Sequence, residues 1–248
     1  MNILDHYKKL WYFNFNRLKG DTYKEMREYF AGVFLAEIEE HMPVEGKRVL
    51  DVGGARGEFC RVLSEKRKCD AVNLDPSPYE YGRYSGEEIW RETVEGSAHD
   101  MPFEDGSFDL VLCRGVFEHI RSGWQQKALD EMYRVLKPGG LCYITVPPWY
   151  NPWAGHGLKP FHYFPFKVAK RLAEAAYGKR IEATSWEEKK LFPVTFRGMR
   201  KMISNSGFKT VDTIDTHFRM HFLTKIPILR EVAVPAVAFI LRKEQAKG

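Results

Sequence analysis

The sequence predicts an α/β protein built on a largely parallel open sheet with helices on both faces. Three observations carry this. Short apolar stretches at 47–52, 71–75, 108–114 and 141–146 alternate with segments of helical spacing, the order of repeated strand-helix units. The run Leu110-Val111-Leu112 has no polar alternation, which suits a strand covered on both faces. Between the first strand and first helix lies the turn Gly53-Gly54-Ala55-Arg56-Gly57. Glycines there reach backbone angles closed to other residues and admit a ligand close to the main chain, while the helix that follows presents unpaired N–H groups.

Composition bounds the rest. A chain of 248 residues, 44% hydrophobic and 14% aromatic, can bury a full core. The net charge of +5 suits an anionic substrate or a membrane surface but is too weak to imply nucleic acid. No run of eighteen apolar residues predicts a spanning helix, and the first residues lack the apolar core of a secretory signal, so a cytoplasmic location is expected. Cys60, Cys69, Cys113 and Cys142 form no C-x-x-C pair and lie in or beside apolar segments; they predict reduced core thiols and no metal site.

Taken in order, residues 22–41 place Met26, Tyr29, Phe30, Val33, Phe34 and Ile38 at helical spacing, and the aromatic stretch from Trp11 to Phe15 predicts a second helix. Together residues 1–46 read as a helical cap on a main domain spanning 47–248. Lys47–Val52 is the first strand, Phe59–Lys66 continues the first helix, and Ala71–Asp75 is a second strand stopped by Pro76. Residues 78–91 read as a loop or broken helix, and a short strand covers Thr93–Glu95. Phe108–Arg114 is the fourth strand, Trp124–Leu136 a helix ended by Lys137-Pro138-Gly139-Gly140, and Leu141–Val146 the fifth strand.

An insertion follows at 147–190. Its first part, 147–165, is dense in proline, glycine and aromatics and carries His156 and His162; it serves either as a substrate-facing loop or as an apolar plug. Helices are predicted at 166–177 and 195–206, and strands at 208–214 and 232–241, with Pro235 forcing an edge, bulge or bend. The segment 226–241 is too short and too interrupted by Arg230 and Glu231 to span a bilayer, which leaves peripheral membrane contact open.

The glycine spacing narrows the ligand. A dinucleotide fingerprint starting at Gly53 fails at Ala55 and Glu58, whereas acidic-x-G-x-G-x-G is met by Asp51, Gly53 and Gly57 and departs only at Ala55. An acid about twenty residues further on can receive both hydroxyls of a ribose, and Asp75 stands there.

The stretch Val49-Leu50-Asp51-Val52-Gly53-Gly54-Ala55-Arg56-Gly57 resembles the first motif of the class I S-adenosylmethionine (SAM) dependent methyltransferases, typically VLDVGCGTG. Three further runs strengthen the likeness. Residues 96–109, GSAHDMPFEDGSFD, resemble the family segment GDAExLPFxDxSFD; 116–120, VFEHI, resembles V-L-E-H-I; and RVLKPGG before the fifth strand is a family hallmark. The resemblance implies a Rossmann-like fold whose sheet ends in an antiparallel strand, with SAM as cofactor and S-adenosylhomocysteine as product. It implies a cofactor site of Asp51, Gly53, Gly54, Gly57, Asp75, Pro76, Ser97, Ala98, His99 and Arg114. Ser97 stands where relatives often carry an acid for the adenine amino group, which shifts that task to the Ala98 backbone with His99 or Asp100.

The implied activity is methyl transfer to a small-molecule acceptor, best matched by a hydroxyl of a sugar, lipid-linked saccharide or related metabolite. RNA or protein methylation, or a SAM-binding regulatory subunit without transfer, are the alternatives. A hydroxyl acceptor calls for a base near neutral pH, and His119, His156 and His162 are the candidates, with Glu118 to orient a base or contact the acceptor. His217 and His221 lie late in the chain and rank below them. Oligomeric state is not readable from these features.

Overall fold

The computed structural model describes residues 3–16, 22–78 and 88–245. Among them seven strands, β1 (Arg48–Val52), β2 (Asp70–Asp75), β3 (Thr93–Glu95), β4 (Phe108–Arg114), β5 (Leu136–Val146), β6 (Lys209–Asp215) and β7 (Val237–Arg242), form one sheet in the order β3-β2-β1-β4-β5-β7-β6. Strands β1 to β5 pair in parallel, and β7 runs antiparallel to both β5 and β6. The strand order reverses between β1 and β4, so the ends of these two strands open a crevice of the kind that binds ligands in open α/β sheets.

Strand alternation splits the core into two layers. Leu50, Val52, Val111, Cys113, Ile144 and Phe239 face one side, where α4 (Gln125–Val135) and α7 (Phe196–Asn205) add Leu129, Met132, Met199 and Ile203. Val49, Leu110, Leu112, Tyr143 and Ile240 face the other, where α2 (Thr22–Glu39) and α3 (Glu58–Arg67) add Leu35, Ile38, Phe59 and Leu63. The helix α1 (Ile3–Asn16) lies against α2 and is pinned to the far end of the chain. The Tyr7 hydroxyl donates to the Phe218 carbonyl at 2.6 Å, and His6 Nε2 to the His217 carbonyl at 2.8 Å.

A smaller cluster of Leu158, Phe166, Ala169 and Ala173 gives the insertion its own core, built by α5 (Phe166–Tyr177) with Phe161 and Trp186. Short helices α6 (Trp186–Lys189) and α8 (Leu229–Val232) complete the chain. All four cysteines are free and buried. No helix among the described residues is long and apolar enough to cross a membrane.

Two expectations change. Lys137–Gly140 does not end the fourth helix before a strand at 141: the helix stops at Val135, Leu136 is already extended, and 137–140 belong to β5. The register jumps from Phe108–Leu136 to Leu110–Leu141, and Gly139, at φ +82°, carries the bulge. The helix end is satisfied from elsewhere, because the Lys243 ammonium donates to the carbonyls of Tyr133, Arg134 and Leu136 at 2.9, 3.3 and 2.8 Å. The last strand begins at Val237 rather than Val232, since 229–232 is helical and Pro235 cannot join the ladder. Most of the predicted loop or broken helix at 78–91 lies outside the described residues.

One polar contact crosses the second core layer. Glu37, 1% exposed, accepts a hydrogen bond from the Tyr143 hydroxyl at 2.6 Å and lies 3.4 Å from Arg219 Nη1. Burial pushes its carboxyl up to about 7, against the smaller opposing pulls of Tyr143 and Arg219, with Glu40 and Asp215 pushing the same way as burial. The folded state therefore keeps a proton that the unfolded chain loses near pH 4.5. Stability from this group is fully present below that pH and is lost as pH rises through about 7, a change of about 3 kcal/mol. Denaturant unfolding of wild type and Glu37→Gln between pH 4.5 and 8 checks this. The difference between the two curves, which removes the contributions of histidines common to both, should fall with rising pH across that window; a flat difference would mean that Glu37 does not titrate there.

Candidate functional site

The turn after β1 is held from the neighbouring strand. Gly53 (φ +71°), Ala55 (φ +52°) and Gly57 (φ +77°) all take left-handed backbone. A Cβ on Gly53 would come within 2.5 Å of Val116, and one on Gly54 within 2.3 Å of Asn73 Oδ1, so neither position accepts a side chain. Asn73 Nδ2 donates to the Ala55 carbonyl at 2.8 Å, while the Asp75 carboxylate receives the N–H groups of Ala55 and Ser77, each at 2.9 Å. Asn73 was legible only as one polar residue inside an apolar strand, and sequence reasoning missed it.

Beneath the turn, Asp51 is 1% exposed and pairs with Arg114 Nη2 at 3.0 Å. The Arg114 guanidinium lies over the Phe59 ring, 3.8 Å from its centroid, with Phe34 of α2 on another side at 5.4 Å. Asp51 thus fixes Arg114, and Arg114 faces the ligand space.

That space is a cleft of about 600 Å³ at the ends of β1, β2 and β4. Gly53, Asp75, Pro76, Ser97, Ala98, His99, Arg114 and His119 line it. Asp51, Gly54 and Gly57 support it from behind without joining its wall, and Asp100 is also outside the wall. Sequence reasoning missed Trp124, whose ring packs on His99 with centroids 4.5 Å apart, and Arg121, Lys189 and Lys190. Lys189 and Lys190 come from the insertion, about seventy residues beyond His119, and no local pattern marks them.

Beside His119 in the cleft wall stand Glu118 and His156, so that three of the four predicted catalytic residues lie together. His119 Nδ1 donates to the Lys190 carbonyl, which leaves Nε2 with a lone pair. The His156 ring lies 5.0 Å from that of His119, and its Nε2 is 3.6 Å from Glu118 Oε1. Glu118 is 4% exposed, and its Oε2 has no hydrogen-bond partner among the described residues. His162 is apart from them. It is buried, donates from Nε2 to the Trp149 carbonyl at 2.8 Å, and its Nδ1, packed against Gly155, has no hydrogen-bond partner among the described residues. Burial holds its imidazole below the ordinary range, so it is neutral near pH 7. His217 and His221 pack near the C-terminal end of β6, with His221 Nδ1 accepting from the Asp215 N–H at 3.2 Å, and neither lines the cleft.

The residues present fit the implied cofactor. The glycine-rich turn brings Gly53 and Ala55 to the cleft wall, the Asp75 carboxylate lines the wall beside them, and the volume falls within the range of roughly 300–1,000 Å³ usual for small-molecule sites.

Comparison with known proteins agrees with this geometry. Residues 50–144 match the family model described as a methyltransferase domain. An uncharacterized methyltransferase of Mycobacteroides abscessus is 30% identical over 82% of this chain and 79% of its own length; one of Mycobacterium sp. (strain KMS) is 35% identical over 79% and 77%. Among solved structures, the Burkholderia thailandensis 1,6-didemethyltoxoflavin-N1-methyltransferase with bound S-adenosylhomocysteine shares the fold, with a TM-score of 0.54 and 15% identity over 87% of this chain and 77% of that one. Fold, motifs and relatives agree: the chain belongs to the class I SAM-dependent methyltransferases.

Proposed function

We propose that the protein methylates a hydroxyl of a small, negatively charged acceptor, such as a sugar, lipid-linked saccharide or related metabolite. The observation that carries this reading is the cleft end itself, where the oriented imidazole of His119 stands among Arg121, Lys189 and Lys190. These cations suit an acceptor bearing phosphate or carboxylate. The neighbouring loop supports a surface for rings or acyl chains, because Tyr150, Trp153, Tyr163 and Phe164 remain exposed while Asn151, Leu158 and His162 anchor it. An apolar plug would bury those aromatics instead.

In this reading Asp75, Pro76, Ser97, Ala98 and His99 hold SAM, Gly53 gives it room, and Arg114 closes the floor. When bound, SAM supplies a sulfonium methyl whose bond to sulfur breaks, with its electron pair going to sulfur, as the acceptor oxygen forms the new bond. The protein's part is chiefly alignment, which can supply several kcal/mol of the barrier. His119 takes the acceptor proton at Nε2, and the Lys190 carbonyl stabilises the imidazolium through Nδ1–H.

Two outcomes test this. Calorimetry should find SAM binding weakened by more than about 1 kcal/mol in Asp75→Ala, the scale of hydrogen bonds to a charged group; unchanged affinity would remove Asp75 from the site. A methyl-label transfer screen against extracts should yield an acidic small-molecule product, and on that acceptor His119→Ala should lose about 10²-fold in kcat with SAM affinity within twofold. Label in RNA or protein would replace the acceptor class, and full turnover by His119→Ala would leave alignment alone as the source of rate.

A further inference from the structure

We infer that Glu118, His119 and His156 form a binding site for a divalent first-row transition cation at the acceptor end of the cleft. One ligand atom from each residue lies within 4.8 Å of the other two. Two imidazoles and one carboxylate, with positions left open, are the donor set that such cations take. Ligands on one ion with bonds of about 2.1 Å stand roughly 3.4 Å apart, a separation that His156 Nε2 and Glu118 Oε1, at 3.6 Å, already nearly meet. Both histidines are exposed, so a small rotation of either ring meets no packed core.

Two further features point to a ligand rather than to three neighbouring side chains. Glu118 is 4% exposed, yet its Oε2 has no hydrogen-bond partner among the described residues. A buried carboxylate with one oxygen left bare carries a desolvation cost, and a cation held by the same carboxylate offsets its charge. His119 is also arranged as metal ligands are: its Nδ1–H is held by a carbonyl, here that of Lys190, which fixes the tautomer and directs the Nε2 lone pair outward.

The site joins two distant parts of the chain. Glu118 and His119 follow β4, whereas His156 comes from the insertion and holds its ring there on left-handed backbone, φ +50°. His119 lines the cleft, so open coordination positions would face the acceptor. This inference rests on the proposed hydroxyl acceptor for its consequence. With the cation bound, the acceptor hydroxyl is held on it and its pKa is lowered, so that the proton leaves to water; in the metal-free protein His119 takes that proton.

The test uses full-length protein without a histidine tag, freed of metal by a chelator. Titration with Zn²⁺ by calorimetry and with Co²⁺ by visible absorption should give one saturable site per chain. His119→Gln and His156→Asn, the latter chosen because asparagine tolerates left-handed backbone, should each weaken it at least tenfold, while His41→Gln should not. The absence of a saturable site, or variants that bind as wild type does, would overturn the inference. SAM titration of the same metal-free samples keeps the two readings separate. Retained SAM binding without a metal site leaves the methyl-transfer reading intact, and a metal site in a protein that binds no SAM would sink that reading alone.

Discussion

Two side chains of a single strand hold the backbone on which the cleft depends. Ala55 occupies a left-handed conformation that costs a non-glycine residue of the order of 1–2 kcal/mol. It stays there because Asn73 bonds its carbonyl and Asp75 its N–H. Gly54 must lack a side chain because Asn73 of β2 and Asp51 of β1 fill the space a Cβ would take. The departure from the family's glycine pattern at position 55 is therefore accommodated from β2, and the turn keeps its shape.

Much of this was readable from the chain. The parallel core, the glycine turn and the acid that ends β2 follow from local patterns: apolar runs, glycine density and a proline after Asp75. Such signals act within one element or between neighbours in sequence. Misreadings arose where a distant residue decides the local structure. Lys137–Gly140 has the composition of a helix stop, but Lys243, at the other end of the chain, caps that helix and frees the glycines for a bulge in β5. His162 reads as a candidate base by type, and no local pattern announces that its ring is buried with Nε2 on the Trp149 carbonyl. The converse holds for Lys189 and Lys190, surface lysines by pattern that the fold brings to the cleft.

The insertion after β5 combines both behaviours. It has a small core around Leu158, Phe166 and Ala169, and it touches the main domain where chemistry is expected. The Phe192 N–H donates to the Glu118 carbonyl at 2.8 Å, the Trp149 N–H to the Val194 carbonyl at 2.8 Å, and His119 is tied to Lys190. These bonds couple the position of the insertion to the conformation of the short turn carrying Glu118 and His119. A change of insertion sequence can thus alter both the shape of the acceptor side and the aim of the imidazole.

The antiparallel β7 has a consequence for how such proteins diverge. Residues 50–144, the span matched by the family model, end inside β5, and the outer edge of β5 is covered by a strand almost a hundred residues further on. A chain cut there would expose an unpaired edge rich in apolar residues, the kind that recruits other chains into aggregates. The span of the family model thus leaves one edge of the sheet without its partner. Insertions between β5 and β7 can grow or be exchanged over generations without loss of the fold only while the final strand still returns to its slot.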